Sequence, residues 1–74
     1  MLDTNGDPIE VGRVYSNDDR IFTYKVNADN GNGTFRVLSE RICSYDTWRD
    51  WDFDGSHFAK MYPLPTDYRQ MRDR

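Results

Sequence analysis

Seventy-four residues make one domain, and a chain this short buries only about 60% of its unfolded surface, so its core must be thin. Hydrophobic residues supply 36% of the chain and charged residues 31%, with a net charge of −3; eleven aromatic rings still give enough burial to exclude global disorder, while the acidic balance opposes generic adhesion to phosphates. The lone Cys43 makes no internal disulfide, the N-terminus does not resemble a secretion signal, and no apolar run approaches the roughly 20 residues of a bilayer span, so a cytoplasmic, non-membrane protein is expected.

Along the chain, Asn5-Gly6 before Asp7-Pro8 is a tight-turn cluster. Ile9, Val11, Val14 and Tyr15 then read as a first strand, with Gly12 marking a bulge that shifts the inward side from Ile9 and Val11 to Val14. After a turn at Ser16-Asn17-Asp18-Asp19, two β-rich runs between Arg20 and Ser39 flank Asn30-Gly31, a pair suited to a type I′ hairpin. That turn sets Val26 opposite Phe35 and Tyr24 opposite Val37, with Phe22 on the same face and Lys25 facing Arg36 outside. Moving the turn to Asn32-Gly33 would set Val26 opposite Ser39 and lose the apolar match.

Residues 40–47 suit another strand around Ile42 and Tyr45, with Asp46-Thr47-Trp48-Arg49 as a capped turn. His57 to Leu64 reads as a closing strand ended by Pro63 and Pro65, and Thr66 as the cap of a short helix reaching Met71. Residues 1–65 are thus expected to form a single small β domain and 66–74 a tail that is either docked or frayed. The expected fold class is mainly β, a small barrel or strongly bent antiparallel sheet of four to five strands.

The opening Asp3-Thr-Asn-Gly-Asp-Pro-Ile-Glu-Val-Gly-Arg-Val-Tyr15 and the aromatic hairpin after it resemble the start of small SH3-like barrels, including those of short bacteriophage accessory proteins. The resemblance covers roughly the N-terminal half and implies a binding domain. It carries over no binding residue, because the aromatic and acidic groove positions of proline-binding SH3 domains have no counterparts that can be mapped here.

Among motifs with chemical content, Asp50-Trp51-Asp52-Phe53-Asp54-Gly55 reproduces the first half of a calcium loop, with Asp50, Asp52 and Asp54 as candidate ligands. Its second half fails, since Phe58 and Met61 stand at the ninth and twelfth positions. The same stretch also reads as an acidic patch interleaved with large aromatics, the composition of an interface anchor steered toward a basic partner, or as rings plugging a small core. A single His57 and a single Cys43 do not build an ordinary zinc or Cys-His catalytic site, and a domain this small offers little pocket volume, so no enzyme and no cofactor is expected. Two partner classes follow. The first is a protein, host or self-encoded, bound through Trp48, Arg49, Asp50, Trp51, Asp52 and Asp54. The second is single-stranded nucleic acid on a basic sheet face around Tyr24, Lys25, Phe35 and Arg36, and a calcium-responsive domain is a third reading.

Overall fold

The computed structural model describes residues 1–42 and 48–73 and arranges them in one sheet of five antiparallel strands. The strands are β1 (Val14–Ser16), β2 (Phe22–Asp29), β3 (Phe35–Arg41), β4 (Trp48–Phe53) and β5 (Tyr62–Pro63). They lie in the order β4-β3-β2-β1-β5. One helical turn, α1 (Gly55–Phe58), joins β4 to β5, and a 3-10 turn spans Met71–Asp73. The Cα radius of gyration is 11.3 Å, close to the roughly 11 Å expected of a compact chain of this length.

The sheet divides the side chains into two sets, because partners across a ladder share a face and neighbours along a strand alternate. One face carries Tyr15, Val26, Val37 and Phe53, which form the core with Phe58 of α1 and Met61. Phe58 is fully buried and meets Tyr15, Phe35 and Phe53 edge-on with centroids 6.2, 5.6 and 6.1 Å away, the preferred geometry for aromatic pairs. The opposite face carries Val14, Ser16, Thr23, Leu38 and Glu40, all buried. It is covered by the C-terminal segment, where Gln70 Nε2 donates to the Leu38 carbonyl at 2.9 Å and to Thr23 Oγ1 at 3.3 Å. Glu40 accepts from the backbone N–H groups of Met71 and Arg72, and Lys25 pairs with Asp73 at 3.2 Å. The tail is thus seated on the sheet by backbone and polar groups rather than by a helix starting at Thr66: residues 65–68 form a turn closed by Tyr68 N–H to the Pro65 carbonyl.

Several expectations are corrected by this architecture. The hairpin closes through a five-residue loop, with the Asn30 N–H donating to the Thr34 carbonyl at 3.0 Å and Asp29 and Asn32 accepting from the N–H groups two residues on. Gly31 and Gly33 both take positive φ, 79° and 86°, so the loop uses both turn pairs rather than choosing one. A bulge at Asn27, where pairing shifts between Val26 and Ala28, then sets Val26 opposite Val37 and Tyr24 opposite Ser39. The expected register is wrong by two residues. Two residues is one full side-chain period, which is why the facial assignment of Phe22, Tyr24 and Val26 survives the error. Lys25 lies opposite Leu38, so the expected clash with Arg36 does not arise.

The first strand is shorter than expected. Gly12 N–H and Arg13 C=O both bond to Val26, setting two residues against one as in a bulge, with Gly12 at φ 95°. Beyond it Val11 is exposed, Tyr15 turns to the core and Val14 to the tail-covered face. The closing strand shrinks to Tyr62–Pro63, because Asp54 caps a helical turn over residues the sequence reading gave to that strand. Pro63 is tolerated inside β5 since this is an edge, where a missing donor costs no ladder bond. β3 runs on to Arg41 and Ile42 follows in a turn; Trp48 and Arg49, expected in a capped turn, open β4, while Cys43, Tyr45 and the Asp46-Thr47 cap lie outside the described residues.

Candidate partner-binding face

The acidic aromatic stretch is not a loop. Trp48–Phe53 is a strand with an uninterrupted six-pair ladder to β3, and five of its six residues are exposed. Alternation therefore separates the expected binding residues. Arg49 and Trp51 project on the core face, Trp48, Asp50 and Asp52 on the other, and Asp54 stands beyond the strand as the N-cap of α1. The same geometry sets the calcium candidates on different elements, Asp50 and Asp52 on an extended strand and Asp54 at a helix cap, whereas a calcium loop draws its carboxylates around one ion. Asp52 is held by Arg36 and Asn30, each at 2.9 Å, and Asp54 by Ser56 and His57. No group of three or more potential metal ligands occurs among the described residues.

What the strand does build is an aromatic groove. The core fills only the part of its face beneath α1; beyond it Phe22, Tyr24, Ser39, Trp51, Phe53 and His57 line an open, mostly apolar depression of about 250 Å³. Tyr24 contacts Phe22 and Phe53 at 6.4 and 5.4 Å between centroids, and the His57 ring lies flat on Phe53 at 4.4 Å and 7°. Trp51 remains 42% exposed, although its Nε1–H donates to Ser39 Oγ at 2.7 Å. Ser39 Oγ in turn donates to the Arg49 carbonyl at 3.3 Å, and the Arg49 guanidinium sits 5.9 Å from the Trp51 ring centroid. The indole is thereby held in one orientation before anything binds, which lowers the ordering cost of association.

Electrostatics grade the groove from apolar floor to charged rim. Burial, reinforced by the nearby Asp19 charge, raises the Tyr24 phenol above its ordinary value, so it stays a neutral donor. At the far rim the Asp54 carboxyl is held below the usual carboxylate range, first by the Ser56 hydroxyl and then by the Ser56 N–H. His57 Nδ1 lies 3.2 Å from the Asp54 N–H and 3.0 Å from Asp54 Oδ1. Arg41 and Arg49 form no ion pair among the described residues.

The expected nucleic-acid face is divided by the sheet. Tyr24 and Phe35 lie on the core side, with Phe35 packed against Phe58, whereas Lys25 and Arg36 lie on the other side, paired with Asp73 and Asp52. Rings and cations are therefore not neighbours there. Sequence reasoning missed Phe22, Ser39, Phe53 and His57 as groove residues. The available signal was the spacing of Phe22 with Tyr24 and of Trp51 with Phe53, two ring pairs at i and i+2, which puts both pairs side by side once β2 and β4 flank β3. A larger cavity of about 520 Å³ beneath the tail is lined by Val14, Lys25, Tyr68 and Asp73 among others; it is polar, and its Lys25 and Asp73 satisfy each other. Among the described residues no helix is long and apolar enough to cross a membrane. Comparison of the chain with protein-family models, with curated proteins and with solved structures returns no match in any of the three.

Proposed function

We propose that this chain is a non-enzymatic protein-binding module that captures its partner through the Phe22, Tyr24, Trp51 and Phe53 groove. The carrying observation is Trp51, a large ring 42% exposed yet locked by Ser39 across an open apolar floor. Large aromatics beside arginine are the side chains that most often dominate interface energetics. The short antiparallel strands with one helical turn before the last strand support reading the domain as an SH3-like barrel. The N-terminal resemblance supports an accessory role for a phage or mobile element acting on a host macromolecule in the cytoplasm.

The test is capture from a bacterial lysate by the tagged protein, with and without nuclease, for the natural chain and for W51A. A retained protein that survives nuclease and disappears with W51A is the expected result. Retention unaffected by W51A overturns the groove.

A second reading is favoured by one observation: Arg41 and Arg49 share the groove face with stackable rings, the combination that binds single strands. Loss of all retained material after nuclease, together with steep weakening by salt, would establish that reading instead.

A further inference from the structure

β4 is the outermost strand of the sheet, and none of its backbone groups makes a backbone hydrogen bond beyond the β3 ladder among the described residues. Edges of this kind are templates for pairing and are usually blunted by proline, lysine, a bulge or shortness. The other edge fits that rule, since β5 is two residues long and contains Pro63. β4 is guarded by charge alone: it has six residues, no proline, no lysine and no register shift, with Arg49, Asp50 and Asp52 along it.

The charges on β4 say what it avoids and what it accepts. Asp52 is committed to Arg36 and Asn30, but Asp50, opposite Leu38, has no ion pair among the described residues. Two copies of the chain paired through β4 would bring the Asp50 and Asp52 carboxylates of both strands onto one face, and like charges set across a ladder are destabilising. A foreign strand with a basic side chain at that place meets the opposite situation.

We propose that β4 is a strand-addition site for an extended segment of a partner protein in which basic and apolar residues alternate. The segment pairs its backbone with the free edge, sets a lysine or arginine beside Asp50 on one face, and lays an apolar or aromatic side chain against Trp51 at the groove mouth on the other. In such recognition the main chain supplies affinity and alternate side chains supply specificity. This inference rests on the protein-binding reading above and adds the partner's conformation and charge pattern.

The probe is the capped peptide Thr-Val-Lys-Tyr-Lys-Val-Thr, with binding followed by Trp fluorescence and by amide shifts of β4. Two further peptides carry N-methyl groups, one on the valine and tyrosine nitrogens and one on the lysine nitrogens. Every second N–H of a strand points to the same side, so one methylated peptide should bind like the parent and the other at least about tenfold more weakly. D50K should weaken the parent by a similar factor, and the peptide with glutamate replacing lysine should recover binding to D50K. No saturation of the parent up to about 1 mM, or equal binding by both methylated peptides, overturns strand addition. If the peptides fail while lysate capture is still abolished by W51A, the groove stands and only the edge is wrong; if W51A leaves capture intact, the groove has failed, and if nuclease removes everything retained, the protein-binding reading itself has failed.

Discussion

Asp54 shows how one side chain settles the path of the chain at the groove rim. Its oxygen accepts from the Ser56 N–H at 2.9 Å and the Ser56 hydroxyl at 2.6 Å, and its own N–H is met by His57, completing a capping box. Because the folded state keeps this carboxyl ionised below its ordinary value, the unfolded chain takes up the proton first as pH falls. The resulting stability is present above the ordinary carboxylate value and is lost on acidification through the lower folded one. Thermal melts between about pH 2 and pH 6 should therefore fall more steeply for the natural chain than for D54N, which retains a cap oxygen without the charge. Equal slopes would deny Asp54 that role. The sequence held a signal for this cap in Asp54-Gly-Ser-His57 before a buried Phe58, but the alternation from His57 onward outweighed it when read as a strand.

At the scale of elements, the C-terminal segment is joined to the sheet mainly through Glu40, whose two oxygens take the N–H groups of Met71 and Arg72. E40Q turns one acceptor into a donor facing a donor, and hydrogen bonds to charged groups contribute about 1.5–3 kcal/mol. The expected outcome is a destabilisation of that order, with faster amide exchange at residues 70–73 and at Leu38; an unchanged exchange pattern would mean the tail is held by other contacts. Nothing in the sequence marks Gln70 and Glu40 for burial, since polar residues enter a core only where partners await them, and those partners are thirty or more positions away. The hairpin was readable to the level of its faces and not of its register. Asn27 bulges without a glycine to announce it, and two Asn-Gly pairs in one loop gave two plausible turns where the chain uses both. β4 is the reverse case, for Asp50-Trp51-Asp52-Phe53 alternates with the strand period, and the resemblance to a calcium loop obscured a pattern that was there to be read.

The whole molecule stands on a small margin. A domain of this length has roughly 4–11 kcal/mol of stability at 0.05–0.15 kcal/mol per residue, and its apolar core lies on one side of a single sheet around Phe58. Truncating a buried phenylalanine to alanine costs about 3–5 kcal/mol. F58A should therefore leave a substantial unfolded population at room temperature by urea titration and near-UV dichroism, and a well-folded F58A would show that the tail-covered face carries more of the stability than its polar character suggests. The composition made the thin core and the antiparallel class readable; it could not say that the sheet would be covered on both sides, because the second cover is made by hydrogen bonds of an unremarkable tail. One consequence of that double cover is optical. Trp48, with Arg72 5.4 Å from its ring centroid, and Trp51, in the groove, are three residues apart on one strand and emit from opposite sides of the molecule. W48F leaves a single emitter that senses whatever fills the groove, and W51F leaves one that senses the tail lifting away, so the light from two near-identical proteins distinguishes an event on one side from an event on the other.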